Sequence, residues 1–418
     1  MIKKILSLLL LTSLLTGTVM TTSCVFVPFI DDGIGSGSES EDDGVPPNIY
    51  VTGGDTNNIT INSSESSTVH AAAKGLLSSV SLKATFEERV YFAGMHIRTD
   101  KFTQSGSGVI YKLDKERGEA YVITNYHVIF NDNSSTVSNI SKDITLRLFG
   151  MESEKYEIPA RVIGGSMQHD LAVLKVSASP ILMASAATTV TIADSDRVAV
   201  LDQVIAIGNP DADGISATVG YVNVDSEQIK VKISDNTSPV PLRVMRIDNA
   251  INQGNSGGGL FNQQGELIGI VNAKDMDGDN MSYAISSNLA KYVVDNLIYY
   301  YNGRDTSSVM EADLGLTLEA KELYVSYDES TGCVYKCERV AVSGVSMRSA
   351  AKGLLQVGDV INHITIDSVK YDVTRIFHAE ECLLNARAGS TVKYNVTRGG
   401  AVTEAEITVT QEMLVKEQ

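Results

Sequence analysis

Short apolar runs separated by turn residues dominate the chain between about residues 70 and 275. The clearest runs span residues 121–124, 144–149, 171–176, 204–207 and 267–271. Strands that are short, closely spaced and not separated by helices are typical of β-barrels and β-sandwiches. The pattern therefore predicts a mainly β first domain.

Clear helical periodicity occurs in only one place, at Leu289, Val293, Leu297 and Tyr300. These apolar residues recur every three or four positions, and Gly303 follows them, as expected just beyond the end of a helix. We expect one amphipathic helix to close the first domain.

Composition divides the chain further. The stretch that precedes the first domain is rich in Gly, Ser, Asp and Glu and has too few apolar residues to offset the entropy of ordering. The expected parts are a signal peptide at 1–23, a disordered tether at 24–67, a first domain at 68–301, a linker at 302–312, a second domain at 313–410 and a tail at 411–418.

The N-terminus has the pattern of a secretory signal, because Lys3 and Lys4 precede an apolar run at residues 5–15. That run is shorter than the roughly 20 residues that a membrane-spanning helix needs. Cys24 follows Ser23, which resembles the lipidation site of bacterial lipoproteins, although such signals usually have Leu three residues before the cysteine. We expect an exported chain that is anchored to a membrane through Cys24, or secreted if Cys24 is not lipidated.

Charge and cysteine content exclude some classes of function. The net charge of −17 and pI of about 4.8 exclude nucleic acid as a partner. Four cysteines in a chain of this length do not make a disulfide framework. Cys333, Cys337 and Cys382 are expected to be buried thiols, with at most one disulfide among them. Nothing in the sequence requires a metal or an organic cofactor.

The motif Gly254-Asn255-Ser256-Gly257-Gly258 carries the strongest chemical signal. Glycines beside a serine let the backbone turn so that the amides of residues 254 and 256 point at one spot. Such amides form an oxyanion hole next to the hydroxyl nucleophile, and we expect Gly254, Asn255 and Ser256 to form it. A Gly-rich turn between strands has the same composition, so the motif alone is not decisive.

Two other motifs supply the missing roles. His127 follows the apolar run 121–124, and Asp170 precedes the run 171–176. A serine hydroxyl needs an imidazole to take its proton, and that imidazole needs a buried carboxylate. We therefore expect His127, Asp170 and Ser256 to form a catalytic triad. His169, adjacent to Asp170, is expected to face away because neighbouring strand residues point to opposite sides.

With these motifs in order, the chain resembles the HtrA/Deg family of trypsin-like serine proteases over about residues 70 to 410. The matching segments are 106–108, 124–128, 170–174, 206–210, 250–260 and 283–285. The resemblance implies a chymotrypsin-like double β-barrel with the active site between the barrels, and a homotrimer. Gln253 and Gly259 stand where the family usually has Pro, which predicts a looser backbone around Ser256.

Specificity is expected to depend on the residues just before the motif. Ala250 and Ile251 are apolar and offer no acid to pair with Lys or Arg, so small or medium aliphatic side chains are the expected preference. Ile251 fits equally well as a residue of the barrel core.

The second domain resembles a PDZ domain through residues 313–318 and 351–361. The resemblance makes Leu314, Gly315, Leu316 and Thr317 a loop that binds a peptide's terminal carboxylate while the next strand pairs with the peptide. A generic β-rich domain is the alternative.

The sequence thus predicts a mainly β protein: a double-barrel protease domain followed by a PDZ-like α+β domain. The leading functional hypothesis is a serine endopeptidase that degrades unfolded or misfolded exported proteins in protein quality control and the stress response. A catalytically inert or chaperone-like peptide-binding protein, and a regulated site-specific signalling protease, are the alternatives.

Overall fold

The computed structural model describes residues 67–92, 95–136, 138–151, 153–210, 213–233, 237–274 and 281–417. Cys24, the expected signal peptide and nearly all of the expected tether lie outside these residues. Within the part that is described, no helix has both the length and the apolar character needed to cross a membrane.

Two closed antiparallel barrels form the first domain. The first has the order β1-β2-β3-β6-β5-β4, with β1 Ser79–Phe92, β2 Met95–Asp114, β3 Glu119–Thr124, β4 Asp143–Leu148, β5 Ile158–Ser166 and β6 Leu171–Val176. The second has the order β10-β11-β12-β9-β8-β7, with β7 Gln203–Gly208, β8 Ser216–Val231, β9 Val240–Ile247, β10 Gly259–Phe261, β11 Leu267–Lys274 and β12 Ser282–Ser286.

Five α-helices lie in the described part of the chain: α1 Ser67–Ser78, α2 Tyr126–Ile129, α3 Pro180–Ala184, α4 Ser287–Tyr300 and α5 Ile376–Glu381. Helix α4 is the predicted amphipathic helix, and its residues Leu289, Val293 and Leu297 are buried in the core cluster that both barrels share. Helix α1 was not predicted. It packs closely on the second barrel, because a Cβ added at Gly75 would lie 2.5 Å from Ile207 Cδ1.

The second domain is built on a sheet with the order β14-β15-β16-β18-β19, while β17 pairs with β16. Its strands are β14 Leu316–Asp328, β15 Cys333–Val345, β16 Val360–Ile366, β17 Val369–Asp372, β18 Thr391–Arg398 and β19 Ala401–Thr408. Helix α5 packs against this sheet. Cys337 and Cys382 are buried, Cys333 is partly exposed, and all three are free thiols.

The connection between the domains is an ordered part of the fold. Ser307 Oγ donates to the carbonyl oxygens of Ile163 and Leu297, and Val309 is buried. Through Ser307, the segment expected to be a polar linker packs against the first domain. Strand β13, Met310–Ala312, then pairs with β20, Leu414–Lys416. The fold is a chymotrypsin-like double β-barrel followed by a PDZ-like α+β domain.

Candidate active site

The structure brings His127 and Asp170 into direct contact. His127 lies on the short helix α2 that follows β3, and Asp170 ends the turn between β5 and β6. Because β3 pairs with β6, these two strand ends are neighbours. His127 Nδ1 lies 2.7 Å from Asp170 Oδ2, and the backbone amide of His127 donates to Oδ1 at 2.8 Å. Both carboxylate oxygens therefore hold the imidazole in one orientation.

Asp170 is fully buried and has a φ of 48°, a left-handed conformation that few non-glycine residues adopt. Its carbonyl oxygen accepts from Asn125 Nδ2 at 2.8 Å, and its Oδ2 accepts from Asn272 Nδ2 at 2.5 Å. The bonds that the carboxylate accepts from Asn272 and from the His127 amide compensate for burying a charged group, whereas Asn125 holds the backbone of Asp170.

The environment of His127 has opposing effects on its pKa. Burial lowers the pKa, but the charge of Asp170 and the hydrogen bond to it outweigh burial, so the net pKa is raised. A neighbouring carboxylate that favours the imidazolium is what a general base needs when it accepts a proton.

The loop around Ser256 is shaped by glycines and held by Ser107. Gly254 and Gly257 have φ values of 93° and 86°. Ser107 Oγ donates to the carbonyl oxygen of Gly254 at 2.7 Å, and the amide of Ser107 donates to the carbonyl oxygen of Ser256 at 2.8 Å. A Cβ at Gly257 would lie 2.3 Å from the Ser107 carbonyl oxygen, so only glycine fits there.

The amides of the motif fall into two groups. Asn255 N–H donates to the carbonyl oxygen of Asn252, and Gly257 N–H donates to that of Val271. No hydrogen bond within the described part of the chain uses the amides of Gly254 or Ser256. These two amides are therefore not engaged within the motif, whereas the amide of Asn255, the third residue of the expected oxyanion hole, stabilises the turn.

The Ser256 hydroxyl donates to the backbone carbonyl oxygen of Asn272 at 2.9 Å. Asn272 therefore contacts both Ser256 and Asp170, which places all three residues in one small network. Among the described residues, no hydrogen bond joins Ser256 Oγ to His127. Rotation about the Ser256 χ1 angle is the motion that would redirect the hydroxyl.

The two residues expected to line the specificity pocket have different environments. Ala250 is exposed, which is compatible with contact to a substrate. Ile251 is only 4% exposed and packs in the core of the second barrel with Val198 and Met245. Ile251 is therefore a residue of the barrel core.

The four residues of the expected carboxylate-binding loop lie at the start of β14. Leu314 is buried, Gly315 has a φ of 69°, and Leu316 and Thr317 begin the strand. Because β14 is the outermost strand of its sheet, its free edge can pair with a peptide. Leu314, Leu316 and Thr317 line a cleft of about 810 Å³, which α5 and strands β8 and β9 of the second barrel also line.

Some functional contacts were missed or misjudged from the sequence. His169 was expected on a strand, but it lies in the turn before β6, where its ring contacts Ser166 Oγ at 2.8 Å. Gly259 lies in β10, paired with Ile207 and Ile270, so the looser loop predicted there is part of the barrel ladder. Asn272 was not predicted as a site residue. Its signal in the sequence is a polar carboxamide side chain directly after the apolar run 267–271.

Comparisons with known proteins agree with this geometry. A family model for the trypsin-like peptidase domain matches residues 106–270. The chain is 29% identical over 322 residues to Serine protease Do-like HtrA of Lactococcus lactis subsp. lactis (strain IL1403), a match that covers 73% of this chain and 71% of that protein. It is also 31% identical over 317 residues to the periplasmic pH-dependent serine endoprotease DegQ of Escherichia coli (strain K12). That match covers 74% of this chain and 60% of DegQ.

A solved structure of the HtrA-type protease AlgW with a tripeptide superimposes with a TM-score of 0.51 at 25% identity, covering 84% of this chain and 98% of that chain. The family model covers the segments that contain His127, Asp170 and Ser256. Together, the comparisons show that this chain is similar to HtrA-type serine proteases over most of its length and contains a segment that matches the trypsin-like peptidase domain.

Proposed function

We propose that this protein hydrolyses peptide bonds of unfolded or misfolded exported proteins through an acyl-enzyme, with Ser256 as nucleophile, His127 as general base and Asp170 as the group that orients the base. The observation that carries the proposal is the double contact of Asn272, which ties the Ser256 hydroxyl and the Asp170 carboxylate into one network.

In the proposed reaction, Ser256 Oγ attacks the scissile carbonyl carbon while His127 Nε2 accepts the hydroxyl proton. The amides of Gly254 and Ser256 stabilise the negative charge that forms on the substrate oxygen. The peptide C–N bond then breaks, and the leaving amine takes the proton from His127. Water hydrolyses the resulting ester through the same groups, which regenerates the Ser256 hydroxyl.

The second domain is proposed to bind apolar peptide C-termini. The loop of Leu314, Gly315, Leu316 and Thr317 would hold the terminal carboxylate, and the open edge of β14 would pair with the peptide backbone. The cleft is also lined by β8 and β9 of the second barrel, so a bound peptide would contact both domains. Aliphatic side chains before the scissile bond would contact Ala250.

We further propose export to the cell envelope, attachment to a membrane through lipid on Cys24, and assembly as a homotrimer. DegQ is named as a periplasmic protease, which supports the location. The remaining proposals rest on the signal pattern and the family resemblance.

The test of the enzyme proposal is cleavage of an unfolded substrate such as casein, together with labelling by a serine-directed phosphonate. Both should be seen with the purified full chain, and both should disappear in Ser256→Ala. A matched control is Ser330→Ala, in the exposed turn of the β14–β15 hairpin, which should cleave and label like the wild type. If the wild type neither cleaves nor labels while peptides still bind, the protein is the inert or chaperone-like binder.

The peptide-binding proposal is tested by fluorescence anisotropy with a peptide that ends in an apolar residue. Amidation of its C-terminus should weaken binding at least tenfold, because the terminal charge is removed. Gly315→Val should have the same effect, since a Cβ at this position would lie 2.3 Å from Ser349 Cβ. Equal affinity for the acid and the amide would contradict carboxylate recognition.

A further inference from the structure

The carboxylate of Glu417 contacts the turn that precedes Asp170, although Glu417 follows the second domain in the chain. Strand β20 pairs with β13, and the amide of Glu417 donates to the carbonyl oxygen of Val309 at 3.0 Å. The Glu417 side chain is only 8% exposed. A buried carboxylate at a domain boundary needs donors, and the first barrel supplies them to Oε1, whereas Oε2 makes no hydrogen bond among the described residues and lies 3.8 Å from His169 Nδ1.

Glu417 Oε1 accepts two hydrogen bonds from this turn. Ser166 Oγ donates to it at 2.7 Å, and the backbone amide of Gln168 donates at 2.8 Å. Ser166 Oγ in turn accepts from the amide of His169 at 3.0 Å. Because the hydroxyl proton of Ser166 is committed to the carboxylate, His169 Nδ1, 2.8 Å from Ser166 Oγ, must be the donor of that pair. Glu417 thereby fixes the turn from Ser166 to His169.

That turn determines where the Asp170 carboxylate lies. Asp170 N–H donates to the carbonyl oxygen of Met167 at 3.3 Å, a long bond, and the residue has a left-handed φ of 48°. Such a conformation persists only where surrounding contacts impose it. Asn125 and Asn272 hold Asp170 itself, whereas Glu417 holds the residues that lead into it.

The segment that carries Glu417 is anchored in the second domain. Met413 packs against the core of that domain, and its carbonyl oxygen accepts from the amide of Asp313 at 2.8 Å. Asp313 directly precedes Leu314, the first residue of the proposed carboxylate-binding loop. One short stretch of backbone thus connects the second domain to the turn before Asp170.

We propose that Glu417 is a positioning residue for the triad: its carboxylate holds the Ser166–His169 turn so that Asp170 faces His127. This inference rests on the proposed catalytic roles of His127 and Asp170. Glu417 touches neither the substrate nor the reacting atoms, so it acts through the turn alone.

The first test compares Glu417→Ala with Glu412→Ala, which removes an exposed carboxylate from the same segment. In the full chain, Glu417→Ala should lower kcat by about tenfold with KM changed less than twofold, because displaced catalytic groups slow chemistry more than binding. Glu412→Ala should match the wild type. Glu417→Gln, which keeps an oxygen acceptor of the same size, should recover most of the loss.

A second measurement does not require activity. In a Ser256→Ala background, amide hydrogen exchange at His127 reports its bond to Asp170 Oδ1. Glu417→Ala should accelerate this exchange at least fivefold, and Glu412→Ala should leave it unchanged. Unchanged exchange at His127 in a folded Glu417→Ala protein overturns the positioning role, whether or not the wild type is a protease. Faster exchange without any wild-type cleavage would instead sustain the positioning role and reject the enzyme proposal.

Discussion

The hydroxyl of Ser256 donates to the backbone carbonyl oxygen of Asn272 and not to the imidazole of His127. The Asn272 side chain at the same time donates to Asp170, so one residue holds the nucleophile with its backbone and the orienting acid with its side chain. Rotation about the Ser256 χ1 angle would break this hydrogen bond and redirect the hydroxyl.

Replacing Asn272 should therefore damage both stability and chemistry. Asn272→Leu removes a donor from the fully buried Asp170 carboxylate, which should lower the free energy of unfolding by about 1–3 kcal/mol. The rate of peptide cleavage should fall as well, because the carboxylate that orients His127 loses a bond. Urea unfolding and kcat measure the two effects. Gln264→Ala, the loss of an exposed amide, is the control, and equal behaviour of the two variants would contradict the role of Asn272.

The His127–Asp170 pair should give activity and stability opposite pH trends. Burial lowers the His127 pKa, but Asp170 outweighs burial and raises it overall. Since the base must be neutral to accept a proton, kcat/KM should fall as pH drops through this raised pKa. The stability contributed by the protonated pair is fully present below about pH 6.5, the pKa of an unfolded histidine, and is lost as pH rises through the folded pKa.

Asp170→Asn tests this assignment. It should lower the His127 pKa, shift the acid limb of the kcat/KM profile to lower pH, and reduce kcat by about 10⁴-fold, because the imidazole then adopts the wrong tautomer. Cleavage assays across pH, with denaturation curves at the same pH values, measure both trends. An acid limb that stays in place would show that a different group controls it.

Gly257 and Gly303 form a matched pair for testing the Ser256 loop. Their φ values are 86° and 85°, but a Cβ at Gly303 would meet nothing within 4 Å, whereas one at Gly257 would lie 2.3 Å from the Ser107 carbonyl oxygen. Both Gly→Ala changes should cost about 1–2 kcal/mol from the left-handed conformation. Only Gly257→Ala should also abolish phosphonate labelling. Labelling at the wild-type rate in Gly257→Ala would show that the loop tolerates the collision.

The sequence predicted those features that depend on local patterns. Strand β6 has the predicted bounds, because a continuous apolar run specifies a strand directly. His127 and Asp170 were paired by their chemistry, and the structure brings them within 2.7 Å. Helix α1 was missed because it directly follows the polar N-terminal stretch and contains Gly75, a poor helix former whose position is packed against the second barrel.

Contacts between distant segments could not be predicted. Glu417 follows Ser166 by 251 positions, and nothing in the polar tail indicates that its carboxylate is buried against the first barrel. The same holds for Asn272, whose partner Asp170 lies 102 positions away. Such contacts form when the barrels and domains assemble. The spacing of apolar residues along the chain predicts helices and strands but not how they assemble.

The junction between the domains offers a last prediction, on stability. Arg243 makes two hydrogen bonds to the carboxylate of Glu381 on α5, and their side chains are only 11% and 14% exposed. The Arg243 guanidinium also lies 4.0 Å from the centre of the Phe377 ring. Glu381→Ala would leave this buried guanidinium without its carboxylate, and removing one partner of a buried ion pair costs about 3–5 kcal/mol.

The exposed pair Lys393–Glu406, with side chains 49% and 57% exposed, is the control. Glu406→Ala should cost less than about 1 kcal/mol, because water screens that pair. Thermal or urea unfolding of the two variants gives the comparison. The double replacement Arg243→Met with Glu381→Leu should be more stable than Glu381→Ala alone, since it leaves no buried charge unpaired. If Glu381→Ala proves no more costly than Glu406→Ala, the ion pair does not hold α5 against β9.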